Sequence, residues 1–240
     1  MSPSVDPASR LCVLMPALNE ADALPAALAG LPDGVRVVVI DNGSTDGTGQ
    51  VARRLGVEVI TEPRRGFGSA CWRGLHAADG ADVVVYMDAD ATLDWRDLDA
   101  VAGPVLRGEA DLVLGARVRE RREPGAMPWH VALANTALAR LCGRLAGVSV
   151  TDVGPFRAVR RDALLGLGMR DRTYGWPLEM VLRAGRAGLH VEEVPVAYRR
   201  RAGVSKVTGR PWPTAKAAAK IMWILARHAT TVRTGRDVSP

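Results

Sequence analysis

Short apolar runs alternate with amphipathic stretches through the first half of the chain. Residues 11–15, 35–40, 57–60, 83–87 and 112–114 read as strands, because short apolar runs rich in β-branched residues suit strands covered on both faces. Between them the pattern predicts helices from about Glu20, from about Asp46, over residues 68–78 and over residues 94–106. This βαβα order predicts an α/β fold, a largely parallel sheet with helices on both faces. Beyond Arg117 the rhythm changes. A basic, proline-containing loop at 119–128, read as a mobile lid, leads to an alanine- and leucine-rich helix ending near Ala146. A short segment at 155–159, helices at 162–167 and 177–187, a strand at 191–196 and a last helix over 214–228 complete the expectation. Residues 1–9 read as frayed, and there is no internal repeat.

Ligands of open α/β sheets gather beyond the carboxyl ends of the strands, so the residues that follow each apolar run are the first place to look for chemistry. After residues 83–87 come Asp88, Ala89 and Asp90. Two carboxylates at i and i+2 of an extended segment share a face, and hard oxygen ligands suit Mg²⁺ or Mn²⁺ bound to a diphosphate. Seen alone, such a pair more often caps a helix or makes a turn. Here it has company. The first strand runs into Pro16-Ala17-Leu18-Asn19-Glu20 and the second into Asp41-Asn42-Gly43-Ser44-Thr45-Asp46-Gly47-Thr48. Asp41 could accept hydrogen bonds from a base or ribose, while Ser44, Thr45 and Asp46 resemble helix-cap chemistry. The segment Arg64-Arg65-Gly66-Phe67-Gly68 reads equally well as a phosphate loop or as glycines that allow close packing. The dinucleotide and P-loop fingerprints, G-x-G-x-x-G and G-x-x-x-x-G-K-[ST], are missing.

With 240 residues the chain is expected to form one domain with a short appendage. Its formal charge of +6 comes from arginine, clustered at 117–122, 157–161 and 199–201. Arginine forks match phosphates and acidic surfaces. Nucleic acid is not expected as a partner, since two Phe and three Tyr leave no stacking platform. Cys12, Cys71 and Cys142 have no metal-ligand spacing and read as small buried residues in a reducing compartment. With no signal-like N-terminus and no run of about 18 apolar residues, the expected location is cytoplasmic, with peripheral contact at the inner membrane face as an option.

Taken together, the P-x-x-N-E loop, the D-N-G-S-T-D-G-T loop, the R-G-F-G-S-A segment and the D-A-D motif resemble those of the family-2 glycosyltransferases, which have the GT-A fold, a single Rossmann-like sheet. Within that family the chain looks most similar to polyprenyl-phosphate (dolichol-phosphate) mannose and glucose synthases. The residues that carry this likeness are Gly115-Ala116-Arg117, Thr151 through Ala158, and Tyr198 through Lys206. The resemblance implies a GT-A domain over residues 1–210, with a nucleotide-sugar half at about 11–117 and an acceptor half at about 118–210, followed by an amphipathic helix and tail over 211–240.

It also implies roles. Pro16, Leu18, Glu20, Asp41, Gly68 and Ala89 would hold the donor, and Asp88 and Asp90 the sugar-diphosphate and a Mg²⁺ or Mn²⁺ ion. Arg117, Arg201, Ser205 and Lys206 would meet phosphates, and Asp152, Arg157 and Trp176 would lie on the acceptor side. Thr92 departs from the glutamine common beside the metal in the lipid-phosphate synthases, so the expected shell is Asp90, diphosphate and water. Family members with hydroxyl acceptors often carry a paired acidic motif as base, whereas residues 174–179 offer Glu179 alone. A phosphate acceptor is already ionised and needs arginines instead. The leading expectation is therefore an inverting transfer of a hexose from GDP-mannose or UDP-glucose to polyprenyl phosphate. Its alternatives are a soluble family-2 enzyme with a small-molecule hydroxyl, thiol or phosphate acceptor, with Glu179 as base, and an inactive nucleotide-sugar-binding protein. Lys216, Lys220 and Arg227 flank a compact apolar cluster that includes Trp223 in the last helix, as in an interfacial helix. The same face would also suit docking on the sheet or on a second subunit in a homodimer.

Overall fold

The computed structural model describes residues 10–201. Seven strands, β1 (Leu11–Ala17), β2 (Arg36–Asp41), β3 (Glu58–Thr61), β4 (Val83–Tyr86), β5 (Leu112–Ala116), β6 (Arg157–Arg160) and β7 (Val191–Pro195), form one sheet. Their spatial order is β3-β2-β1-β4-β6-β5-β7. The helices are α1 (Leu24–Ala27), α2 (Thr48–Arg54), α3 (Phe67–Ala77), α4 (Leu98–Leu106), α5 (Trp129–Ala146), α6 (Arg161–Gly166) and α7 (Trp176–Arg186). Both halves expected on either side of residue 117 share this sheet, because β6 pairs with β4 on one edge and with β5 on the other.

Period-2 alternation divides the strand residues between two cores. Leu14, Ile40, Tyr86 and Leu114 face one layer, where α3, α5 and α7 pack. Val13, Met15, Val39, Val85 and Val113 face the other, covered by α1, α4 and Trp95. All three cysteines are buried and unbridged, as expected. No helix among the described residues is long and apolar enough to cross a membrane.

Three expectations need adjustment. The segment at 155–159 becomes a strand antiparallel to both its neighbours, since apolar patterning reports burial but not strand direction. The first two helices begin later than expected, because residues 19–21 and 44–48 are drawn into bonds between loops. The loop at 119–128 is tied down rather than free: Arg122 and Tyr198 form a β-bridge, Glu123 N–H donates to the Tyr198 carbonyl at 2.8 Å, and Arg121 Nη2 reaches Asp97 at 2.7 Å. The C-terminal helix expected over 214–228 lies outside the described residues.

Candidate active site at the carboxyl edge of the sheet

β1, β2 and β4 run parallel, so the loops that leave them emerge side by side. The first two are laced together. Asn19 N–H donates to Ser44 Oγ at 2.9 Å, Glu20 N–H to Thr48 Oγ1 at 2.9 Å, and Thr45 N–H to Asn19 Oδ1 at 2.8 Å. Asp46 accepts from the backbone of both Ala21 and Thr48. Of the cap-like residues only Asp46 bonds to the start of α2, whose N-cap is Gly47, while Ser44 and Thr45 serve the neighbouring loop. Asn42 fixes the third loop, donating to the carbonyls of Glu62 and Arg64 and accepting from Gly66 N–H at 2.8 Å.

The carboxylate pair sits where β4 ends. Asp90 is 6% exposed, and its Oδ1 accepts from Thr92 Oγ1 at 2.6 Å and Thr92 N–H at 3.2 Å. Ala91 has φ +62°, the left-handed conformation that closes this turn. Burial, together with the Asp90 charge beside it, pushes the Asp88 carboxyl up to about 7, while Arg117, Arg201 and Arg157 pull the other way. Residues 196–201 run alongside. Arg199 N–H donates to the Thr92 carbonyl at 2.8 Å, and Arg199 also pairs with Asp94. That alignment delivers Arg201 to both Glu20 and Asp90, the latter at 3.3 Å.

Two carboxylates side by side at the end of β4, with the Asp88 carboxyl raised by burial and by its neighbour, fit a divalent cation that completes its shell with phosphate oxygens and water. Among the described residues no cluster of three or more His, Cys, Asp or Glu could hold an ion without such help.

These groups open onto a cavity of about 560 Å³, large enough for a nucleotide sugar. Of the residues singled out from sequence, Pro16, Leu18, Glu20, Asp88, Ala89, Asp90 and Arg201 line it. Asn42, Arg65, Phe67, Thr173, Tyr174 and Tyr198 line it too and were missed as site residues. Asn42, Arg65 and Phe67 stand within motifs already noted, so position beside Asp41 and Gly68 was the available signal. Nothing in the sequence marks Thr173 or Tyr174.

The remaining predicted residues among those described are not part of the cavity wall. Asp41 ends β2 with Oδ1 accepting from Ser44 N–H at 2.9 Å, and it supports the loop beside Asn42. Gly68 serves packing, not phosphate: a Cβ there would lie 2.4 Å from the Asp171 carbonyl oxygen, and its N–H is already given to the Thr173 carbonyl at 3.0 Å.

Arg117 is held by Asp152, with Nε and Nη2 each 2.8 Å from a carboxylate oxygen, and it lies 5.0 Å over the Tyr198 ring. Burial alone would raise the Asp152 carboxyl, but bonds from Arg117 and Asn135 outweigh it and hold the group below its usual value. Arg157 is 2% exposed and bonded to the carbonyls of Gly154 and Pro177, and burial pushes it down to about 10. Trp176 is a core residue, edge-on to Tyr86 at 6.4 Å.

The expectation of Glu179 as a base is corrected most sharply. It is 3% exposed and accepts from Arg183 Nε at 2.7 Å, Asp171 N–H at 2.6 Å and Arg170 N–H at 3.0 Å. Such a carboxylate pins the segment before α7, and it is not among the residues that line the cavity. Ser205 and Lys206 lie outside the described residues.

Comparison with known proteins agrees with this geometry. The chain is 42% identical over 201 residues to an uncharacterised glycosyltransferase of Mycobacterium tuberculosis, covering 82% of this chain and 89% of the relative. It is 34% identical over 201 residues to a dolichyl-phosphate hexose transferase of Haloferax volcanii, covering 82% and 86%. Among solved structures it resembles glucosyl-3-phosphoglycerate synthase of Mycobacterium tuberculosis in complex with Mn²⁺, UDP-glucose and phosphoglyceric acid. That match has a TM-score of 0.70 and 25% identity, over 91% of this chain and 79% of that one. The model of the glycosyl transferase family 2 matches residues 12–167, and with the laced loops, the carboxylate pair and the cavity between them, the chain belongs to that family.

Proposed function

We propose that the enzyme moves a hexose from a nucleotide sugar to the phosphate of a polyprenyl phosphate, with inversion at the anomeric carbon. The observation that carries this reading is the closure of Glu179, the one carboxylate expected to serve a hydroxyl acceptor as base. A phosphate acceptor has no proton to lose and is drawn in by cations. The cavity offers Arg65 and Arg201, with Arg117 behind the Tyr198 ring.

In this scheme Pro16, Leu18 and Asn42 orient the nucleoside, and Thr92 fixes the Asp90 carboxylate toward the diphosphate. A divalent cation, for which Asp90 and Asp88 supply the ligands, would neutralise charge on the departing diphosphate. Arg201 turns from Asp90 toward the phosphates once they arrive. An acceptor phosphate oxygen forms the new bond to the anomeric carbon as the bond to the nucleoside diphosphate breaks, and the electron pair leaves with the diphosphate. The Haloferax relative supports the lipid acceptor by its name. A second reading, a small phosphorylated acceptor, draws support from the likeness to a synthase solved with phosphoglyceric acid.

The test is nucleoside diphosphate release from a panel of nucleotide sugars with Mg²⁺ or Mn²⁺, with and without a short-chain polyprenyl phosphate. Release that requires one donor and the lipid phosphate upholds the proposal and names the donor. Release that ignores the lipid phosphate but rises with phosphoglyceric acid overturns it in favour of the second reading.

A further inference from the structure

Helix α5 presents a face that the fold leaves uncovered. Ala139, Cys142, Gly143 and Ala146 are buried against the body of the protein, yet Trp129 is 77% exposed, Leu133 64% and Leu141 44%. At about 100° per residue these three, with exposed Ala134 and Ala137, fall in one outward arc of roughly 140°. The polar residues in that arc are His130, Arg140 and Arg144, all exposed. From Pro124 to Thr151 the chain has no carboxylate. A solvated helix face normally mixes both signs of charge. Here large apolar side chains alternate with cations alone, a pattern in which arginine stems can lie along hydrocarbon while their heads stay with anionic groups.

We infer that this face of α5 docks on an anionic lipid bilayer. The charge argument selects the partner: cations point to an anionic surface, and interleaved Trp and Leu need an apolar interior beneath it, which a lipid leaflet supplies. The opposite, inward side of the same helix connects to the site: Asn135 donates to Asp152 at 2.6 Å, Asp152 holds Arg117, and Arg117 lies over Tyr198, which lines the cavity. The inference deepens the lipid-phosphate reading and rests on it for its purpose, although the burial and charge of the helix stand by themselves.

The experiment is cosedimentation of the full chain with vesicles of phosphatidylglycerol and phosphatidylcholine, or of phosphatidylcholine alone, with short-chain polyprenyl phosphate turnover followed in parallel. Binding should require phosphatidylglycerol, weaken with salt, and fall about tenfold or more in a Trp129→Ser, Leu133→Ser, Leu141→Ser variant. The Arg140→Gln, Arg144→Gln variant alters charge without touching apolar packing, and it should lose the phosphatidylglycerol preference even if the serine variant folds poorly. Undiminished vesicle binding by both variants overturns the inference. So does a loss of self-association in place of vesicle binding, which would make a second copy the occupant, or binding that vanishes only when residues 211–240 are removed. If binding depends on α5 but no lipid-phosphate transfer occurs, the docking face stands and the proposed reaction falls. Transfer to short-chain polyprenyl phosphate with α5-independent vesicle binding gives the reverse result.

Discussion

The proposed donor side and the proposed acceptor side of the cavity are built by different means. On the donor side, consecutive loops are joined by bonds from backbone amides to short polar side chains, as in Asn19 to Ser44 and Glu20 to Thr48. On the acceptor side, long-range ion pairs do the same work: Arg117 with Asp152 and Arg121 with Asp97. A lattice of many small bonds tolerates the loss of one, whereas a buried ion pair that loses one partner leaves a charge without compensation. The two sides should therefore respond differently to single changes.

The largest effect is expected between them, at the carboxylate pair. Asp90→Ala should lower nucleoside diphosphate release by about a thousandfold, roughly 4 kcal/mol in the barrier, while thermal melting changes little. Wild-type turnover in that variant would mean that the reaction does not run through this pair. Next comes Arg117→Ala, which strands the Asp152 carboxylate and should cost about 3 kcal/mol of stability by denaturant unfolding. The double variant Arg117→Ala, Asp152→Ala should recover part of that loss, and strict additivity would break the comparison.

Glu179→Gln should cost about 1–3 kcal/mol of stability yet leave kcat/KM within about twofold, the reverse of what a general base would give. The smallest effect belongs to the donor lattice, where Ser44→Ala should cost about 1 kcal/mol. Acid sharpens the contrast further. Asp152 is held below its ordinary carboxylate value, so its contribution is fully present above about pH 4 and is lost as pH falls through the depressed value. Asp152→Asn should flatten the fall of stability with pH in that acid window, and Ser44→Ala should not.

The same contrast explains what was legible in the sequence. The donor half follows from short-range pattern: apolar runs give β1 to β5, and Glu20, Asp88 and Asp90 follow their strands directly, so sequence adjacency and spatial adjacency coincide. The acceptor half depends on partners far apart in the chain. Nothing around Glu179 predicts that the amides of Arg170 and Asp171 will surround it, and the environment of Asp152 is set by Arg117, 35 positions earlier. Arg157 and Trp176 carried motif or composition cues for acceptor contact, yet both are consumed by the core, because the antiparallel β6 draws Arg157 inward between β4 and α7. Strand direction and long-range pairing are properties of the assembled sheet, and no local run of residues encodes them.

The insertion of β6 between β4 and β5 also sets a schedule for the growing chain. The edge of β4 that β6 will cover is complete at Tyr86, while its partner does not exist until Arg157–Arg160 has been made. At about 5–20 residues per second of synthesis, the Val83-Val84-Val85-Tyr86 edge waits roughly 4–15 seconds with its hydrogen-bonding groups open on that side. Those seconds are when this protein is most exposed to pairing with another nascent chain, so crowding on the ribosome, more than heat applied to the finished fold, is the stress to which its yield should be most sensitive.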